Sequence, residues 1–472
     1  MTLMLAQAAR AELWQRVIET IEAYATEVER LPVSTEPNPS EIRARLAPFD
    51  FAQTVAPDDA VEFVAACLRQ YQVHTPHPRY FGLFNPAPTT MGIAADTLVA
   101  AFNPQMAAWS HNPFAAEVEM HLVRAFGTRF GYAETDGTFC SGGAEANHTA
   151  VLTALTHTQP EYGRGGARAL AAQPVLYISA EGHHSIIKAA RLCGLGTDAV
   201  REIPVDEKLK MNCETLVAQI ERDRNAGCAP FMIVATLGTT NSGVLDPIAE
   251  LARIAAQNNL WLHADAAWGG AAALVTELRP LLAGIERADS ITFDAHKWLS
   301  VPMGAGLYLT RHTDILTRTF RVANAYMPRA VETEHDISSP YEHSMQWSRR
   351  FIGLKVFLSL LVAGWDGYAQ AIQQQTAMGA LLRRELEQND WTIVNETELP
   401  LVCFVDQQNE AAEHLTAIAA QVLATGRAWL STTRLGTGQH VLRACITNYR
   451  TDEADVRALV QAVNEARAKL RT

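Results

Sequence analysis

Lysine is the scarce basic residue of this chain: of 39 basic side chains only Lys188, Lys208, Lys210, Lys297, Lys355 and Lys469 are lysines. Against 51 acidic residues the formal charge is −12, so there is no basic excess to neutralise a phosphate backbone, and a nucleic-acid partner is not expected. Long apolar runs are also missing. Phe357 to Ala363 is interrupted by Ser359 and falls far short of the ~20 residues that span a bilayer. No basic segment precedes an apolar stretch at the N-terminus. Leu13, Val17, Ile21 and Tyr24 recur there at helical spacing among Arg10, Glu12, Arg16 and Glu19, the pattern of an amphipathic helix and not of a signal peptide. The seven cysteines are odd in number, scattered and never in a C-x-x-C pair, so they read as reduced thiols of a cytoplasmic protein. Low-complexity tracts are absent as well, and with 48% hydrophobic and 19% charged residues the chain folds into a globular body.

What is there is enough for more than one core. At ~100–200 residues per domain, a chain of 472 residues makes two or three packed units. Residues 1–84 read as a helical arm with proline-containing links such as Leu31-Pro32 and Asn38-Pro39. Residues 85–360 read as a large α/β domain, and 361–472 as a small α+β domain. Candidate strands of the large domain are Val175–Ile178, Phe231–Ala235, Leu260–His263, Ser290–Phe293 and Gly306–Leu309. Between two of them Asp246 is expected to cap a helix that has Pro247 in its first turn and buries Ile248, Leu251 and Ile254. Continuous apolar strands alternating with amphipathic helices imply a mostly parallel sheet covered on both faces, with ligands beyond the carboxyl ends of the strands. A helical pattern runs from about Met345 to Gly364. In the last hundred residues Leu401–Val405 and Val441–Ile446 read as strands, and Thr451, Asp452 and Glu453 open a final helix.

Four segments carry chemistry. Phe293-Asp-Ala-His-Lys-Trp-Leu299 sets a lysine at the end of a strand among apolar neighbours. Desolvation lowers a lysine pKa and makes the amine a nucleophile able to form a Schiff base; the plain alternative is a lysine snorkelling from a strand end. Trp261-Leu-His-Ala-Asp-Ala-Ala-Trp268 sets Asp265 after a buried strand, where a carboxylate could keep a pyridine-ring cofactor protonated or simply cap a helix. Cys140-Ser-Gly-Gly-Ala-Glu-Ala-Asn147 runs from a turn into a helix. The amides of Gly142, Gly143 and Ala144 suit a phosphate there, against the alternative of an ordinary loop. Glu181-Gly-His-His-Ser-Ile-Ile-Lys188 offers an imidazole to lie on a cofactor ring or to serve a structural role. No further His or Cys stands nearby at ligand spacing, so a metal is not expected.

In this order, the four segments resemble the group II decarboxylases that depend on pyridoxal 5′-phosphate (PLP), the family of aromatic-L-amino-acid, histidine and glutamate decarboxylases. The resemblance runs from His77-Pro-Arg-Tyr-Phe81 to Leu442-Arg-Ala-Cys-Ile446, and Asp294-Ala-His-Lys-Trp298 is similar to the family's cofactor-lysine motif Asn-Pro-His-Lys-Trp. It implies the PLP-dependent transferase-like fold, the aspartate aminotransferase fold type I. It also implies a Schiff base on Lys297, with Asp265 at the pyridine nitrogen, Ala267 under the ring and His184 stacked above it. Asp294 and His296 would serve the phosphate or substrate. Thr240 would lie near the cofactor and the substrate carboxylate, and Asp246 would act as a supporting aspartate. Tyr326, in a segment resembling the family's catalytic loop, would deliver the proton that ends decarboxylation. Phe81, Leu83, Phe84, Ala107 and Trp109 match the substrate-pocket segments, with Leu83 and Ala107 standing where the aromatic branch has Tyr and Phe. The implied reaction is decarboxylation of an L-amino acid to its amine and carbon dioxide by a homodimer with shared active sites. Other PLP reactions on this scaffold (aldehyde synthesis, transamination, carbon–carbon cleavage) and an inactive structural relative are the alternatives.

Overall fold

The computed structural model describes residues 3–322, 337 and 339–471. Its central sheet has seven strands: β1 (Asp136–Cys140), β2 (Pro174–Ser179), β3 (Val200–Ile203), β4 (Ala229–Thr236), β5 (Trp261–Asp265), β6 (Ser290–Asp294) and β7 (Gly306–Thr310). The spatial order is β1-β7-β6-β5-β4-β2-β3. β7 runs antiparallel to β1 and β6, and the other pairs are parallel. Every residue of β1, β2, β5, β6 and β7 is buried, as strands covered on both faces require. Side chains alternate between two apolar layers. Tyr177, Ile233, Leu262, Ile291 and Leu307 enter one, while Leu176, Ile178, Met232, Val234 and Tyr308 enter the other.

Parallel strands need crossover helices. The helix Gly143–Thr158 packs across β4 to β7, and Ile248–Asn258 packs on β4 and β5 with Ile248, Leu251 and Ile254 buried. Asp246 does not cap that second helix. Its carboxylate accepts Met211 N at 2.8 Å and Thr236 N at 2.8 Å, so it ties two loops to the end of β4 instead. Burial raises its pKa to about 7. β1 and β3 were not evident from the chain's apolar pattern, because β1 begins Asp136-Gly137 and β3 carries Arg201 and Glu202.

A second sheet holds β8 (Trp391–Ile393), β9 (Leu401–Asp406), β10 (Ser431–Arg434) and β11 (His440–Cys445), all antiparallel in the order β10-β11-β9-β8. The final helix, Glu453–Arg471, is held at its start by Asp452, whose carboxylate accepts Asp455 N at 3.0 Å. The helical pattern expected to end near Gly364 breaks there: within Gly353–Glu387, Gly364 leaves helical geometry at φ +64° and ψ 177° and separates two helices. A boundary at 360/361 therefore falls in the last turn of the first of them. At the other end, the helices Gln7–Glu27, Pro39–Leu46 and Pro57–Tyr71 bury none of their residues. Beyond them the chain joins the small sheet, where Phe81 N donates to Trp429 O at 2.8 Å and Cys445 N donates to Phe81 O at 3.0 Å. No helix among the described residues is long and apolar enough to cross a membrane.

Candidate active site

Four parallel strands end at the same edge of the sheet, and each delivers a polar group there. After β1 come Ser141, Gly142 and Gly143; after β2, Glu181 and His183; at the end of β5, Asp265; and just past β6, Lys297. Register brings them level, with Thr236, Asp265 and Thr292 paired across β4, β5 and β6.

Lys297 Nζ lies 3.0 Å from Asp294 Oδ2, in a turn closed by Lys297 N donating to Asp294 O. The lysine keeps 23% of its side chain exposed while Asp294 is 1% exposed, so the amine faces a cleft while its carboxylate partner is sealed behind it. Asp294 Oδ1 is buried and has no hydrogen-bond partner among the described residues. Glycine makes this packing possible. A Cβ on Gly143 would stand 2.8 Å from Asp294 Oδ2, and one on Gly306 would stand 2.7 Å from the backbone of Gly142. The helix that starts at Gly143 has Gly142 as N-cap and no side-chain cap, which leaves its first amides, including that of Ala144, free of side-chain competition. His296 is buried, accepts Ala305 N on Nδ1 at 3.2 Å and sits 3.9 Å from Asp294; burial holds its pKa low.

Asp265 is 4% exposed. Its Oδ2 accepts Asn147 Nδ2 at 2.8 Å, and its Oδ1 accepts only the longer Ala267 N contact at 3.3 Å. Ala267 also borders Gly143, at 3.6 Å from where its Cβ would be. The imidazole that belongs to the cleft is His183 and not His184. His183 feels the charges of Asp265, Lys297 and Asp294, and burial is the main reason its pKa is lowered. His183 and His184 both keep exposed surface in the single chain, but only His183 is coupled to those charges, and His184 precedes the helix Ser185–Leu192 as its N-cap. The coupling favours His183 over the expected His184: in a loop, neighbouring residues face different ways and no periodicity fixes which one faces in.

Of the expected pocket residues, Phe84 reaches the lysine. Its ring stacks on Trp268 at 4.5 Å and carries Lys297 Nζ over it at 5.7 Å. Phe81 and Ala107 are buried, Leu83 is half exposed, and Trp109 donates from Nε1 to Glu117. Thr240 meets the site through its carbonyl, which accepts Arg443 Nε at 2.8 Å. Arg443 lies inside the apolar strand β11, where the sequence pattern gives it no role. It is 2% exposed, donates from Nη1 to Gly82 O at 2.7 Å, lies 5.3 Å over the Phe84 ring, and leaves Nη2 buried without a partner. A lone charge inside an apolar strand was the signal. Tyr326 lies outside the described residues.

The model of the pyridoxal-dependent decarboxylase conserved domain matches residues 45–406. The chain belongs to this family. An aromatic-L-amino-acid decarboxylase of Bacillus atrophaeus is 30% identical over 465 residues, 96% of this chain and 94% of the relative. A cysteine sulfinic acid decarboxylase of Rattus norvegicus is 33% identical over 337 residues, 71% of this chain and 68% of the relative. The crystal structure of mouse CSAD in apo form superposes with a TM-score of 0.90 at 26% identity, covering 97% of this chain and 99% of that one. This pyridoxal-dependent decarboxylase therefore has the type I fold of PLP enzymes, uses PLP, and is an amino-acid carboxy-lyase.

The residues of the pyridoxal-dependent decarboxylase cleft fit that cofactor. There is one accessible amine, a buried carboxylate with an under-used oxygen, a glycine cradle at a helix N-terminus, and an orphaned Asp294 oxygen beside it. PLP needs a covalent anchor, an anion at its ring nitrogen and amides for its phosphate, and the cleft holds a group of each kind.

Proposed function

We propose that this enzyme removes the α-carboxyl group of an amino acid with Lys297 as the covalent anchor of PLP, and that its preferred substrates carry a second acidic group held by Arg443. The single observation behind the first part is the arrangement at the strand ends, where Lys297 and Asp265 share one cleft beside the glycine cradle. PLP, when bound, supplies an electron sink for the pair left on Cα as carbon dioxide departs. The chain does the rest. Asp265 would serve the ring nitrogen, its Oδ1 being the freer oxygen since Oδ2 is already committed to Asn147. The amides of Gly142, Gly143 and Ala144 would hold the phosphate together with Asp294 and His296. Ala267 and His183 would pack against the ring, Thr240 and Asp246 would support the adjoining loop, and Tyr326 would supply the proton.

The substrate assignment rests on Arg443. An arginine clamped on the leaving carboxylate would stabilise the ground state of a charge that is about to disappear, which slows the reaction. A buried guanidinium with one free nitrogen is better matched to a charge that persists through the step, on the side chain. The relatives divide between aromatic-L-amino-acid and acidic-amino-acid decarboxylases, and local geometry favours the acidic class. Phe84, already stacked against Trp268, Lys297 and Arg443, is a filled wall and not an open aromatic slot. Carbon dioxide release from a panel of aspartate, glutamate, cysteine sulfinate, phenylalanine, tyrosine and tryptophan tests this. The acidic three are expected to react fastest, and Arg443→Met to raise their KM about tenfold or more, the effect of one lost charge-assisted hydrogen bond. Preference for the aromatic three, with KM indifferent to Arg443, would contradict the assignment.

The enzyme works as a homodimer with shared active sites. The N-terminal helices have no packed face of their own, and Trp14, Ile18, Phe51, Val64 and Leu68 are all exposed in the single chain. Apolar residues repeated along one arm suit a second copy of it. Light scattering is expected to give twice the mass of the chain, and a stable active monomer would refute the dimer. Seven free thiols, four of them buried, suit a reducing cytoplasm.

A further inference from the structure

We propose that Asn147 and Ser185 are positioning residues: through one chain of directed hydrogen bonds they hold Asp265 as a carboxylate acceptor and His183 as a neutral imidazole with its proton on Nε2.

Asn147 is 1% exposed and every position of its amide is used. Nδ2 lies 2.8 Å from Asp265 Oδ2 and 2.8 Å from Ser185 Oγ. Oδ1 lies 2.8 Å from Thr292 Oγ1 and 3.0 Å from His263 Nε2. The orientation of the amide follows from its neighbours. An ionised carboxylate only accepts, so the NH2 group must face Asp265; Oδ1 then accepts from the threonine hydroxyl and from an Nε2–H on His263. Both hydrogens of Nδ2 are spent, one on Asp265 and one on Ser185. Ser185 Oγ has thereby accepted a bond and has a single hydrogen left to give. His183 Nδ1 stands 2.8 Å away, and Ser185 N also points at it at 3.3 Å. Two donors converging on Nδ1 require a lone pair there, so the proton of the neutral ring is on Nε2.

Nε2 has no partner among the described residues, and His183 opens onto the cleft. The ring is therefore a donor toward whatever carboxylate or oxygen occupies the cleft, and has no lone pair on Nε2 with which to act as a base. The charges that face it are Asp265 and Asp294, which favour protonation, and Lys297 and His184, which oppose it together with burial. One polar thread thus sets both groups that flank the cofactor ring: Thr292 and His263 orient Asn147, Asn147 orients Asp265 and Ser185, and Ser185 sets the tautomer of His183. The functional meaning rests on the cofactor position proposed above, but the tautomer belongs to the chain alone.

The test is long-range proton–nitrogen correlation on full-length protein labelled with ¹⁵N-histidine, with and without PLP, using His183→Gln to assign the resonance. His183 is expected as the Nε2–H tautomer in both states, with its titration displaced below the ordinary value of about 6.5 by burial. Ser185→Ala should release it into a tautomer mixture, and lower kcat/KM about tenfold, the effect of one lost hydrogen bond. Ser185→Thr, which keeps the hydroxyl, should retain the wild-type tautomer. An Nδ1–H form in the wild-type protein, or a tautomer indifferent to Ser185→Ala, would overturn the proposal. An Nε2–H tautomer in a chain whose cofactor attaches elsewhere would defeat the site assignment and leave this inference standing.

Discussion

Replacing Lys297 with alanine is expected to lower kcat by about a thousandfold or more, the scale on which loss of a covalent catalytic group is felt. Neither Lys355 nor Lys208 is free to substitute. Lys355 is buried and committed to Asp96 at 3.0 Å and to the carbonyls of Pro302 and Met303. Lys208 pairs with Glu396 on the surface. The variant should still fold, because Lys297 is partly exposed and the strands around it are packed by apolar layers that do not involve its amine. It should also lose some stability, since Asp294 is left as a buried carboxylate without its cation. Steady-state assays beside circular dichroism separate the two effects. A folded Lys297→Ala protein with near wild-type turnover would contradict the assignment.

Asp265→Ala carries the second large effect. In the proposed site the carboxylate would be the anion at the pyridine nitrogen, a role that grows as negative charge moves into the ring, so its loss should fall on kcat more than on KM. Removing one such preorganised group costs on the order of 10²–10³ in kcat. Asp265→Asn should be nearly as poor, because the amide cannot supply the negative charge and its NH2 would meet Asn147 Nδ2 or the ring nitrogen. Its fold is secure: Asn147 retains Thr292, His263 and Ser185 as partners. A kcat within about threefold of wild type for both variants would remove Asp265 from the site, and a loss confined to KM would make it a binding group only.

Much of this architecture can be read from the chain because strands buried on both faces leave an unbroken apolar signature. β2, β4, β5, β6, β7 and β9 are mostly apolar, the interior of β11 is apolar but for Arg443, and residues just past such strands are the natural place for polar function. Lys297 and Asp265 stand out for that reason. Elements that depend on pairing are less visible. β1 and β3 contain charges and a glycine and exist as strands because β7 and β2 hold them. Asp246 has the residue type of a helix cap, yet Pro247 occupies the N-cap and the carboxylate turns to Met211 and Thr236, a contact between segments 35 residues apart that spacing does not reveal. The exchange of His184 for His183 and the emergence of Asn147 and Arg443 have the same origin. Their importance lies in what faces them across the fold, and local sequence carries no record of facing.

The most direct test of the account is where the cofactor is bound. Holoenzyme reduced with borohydride, digested and sequenced by mass spectrometry should carry its pyridoxyl group on Lys297, within Asp294-Ala-His-Lys-Trp298. A pyridoxyl group on any of the other five lysines, or on none, would contradict it.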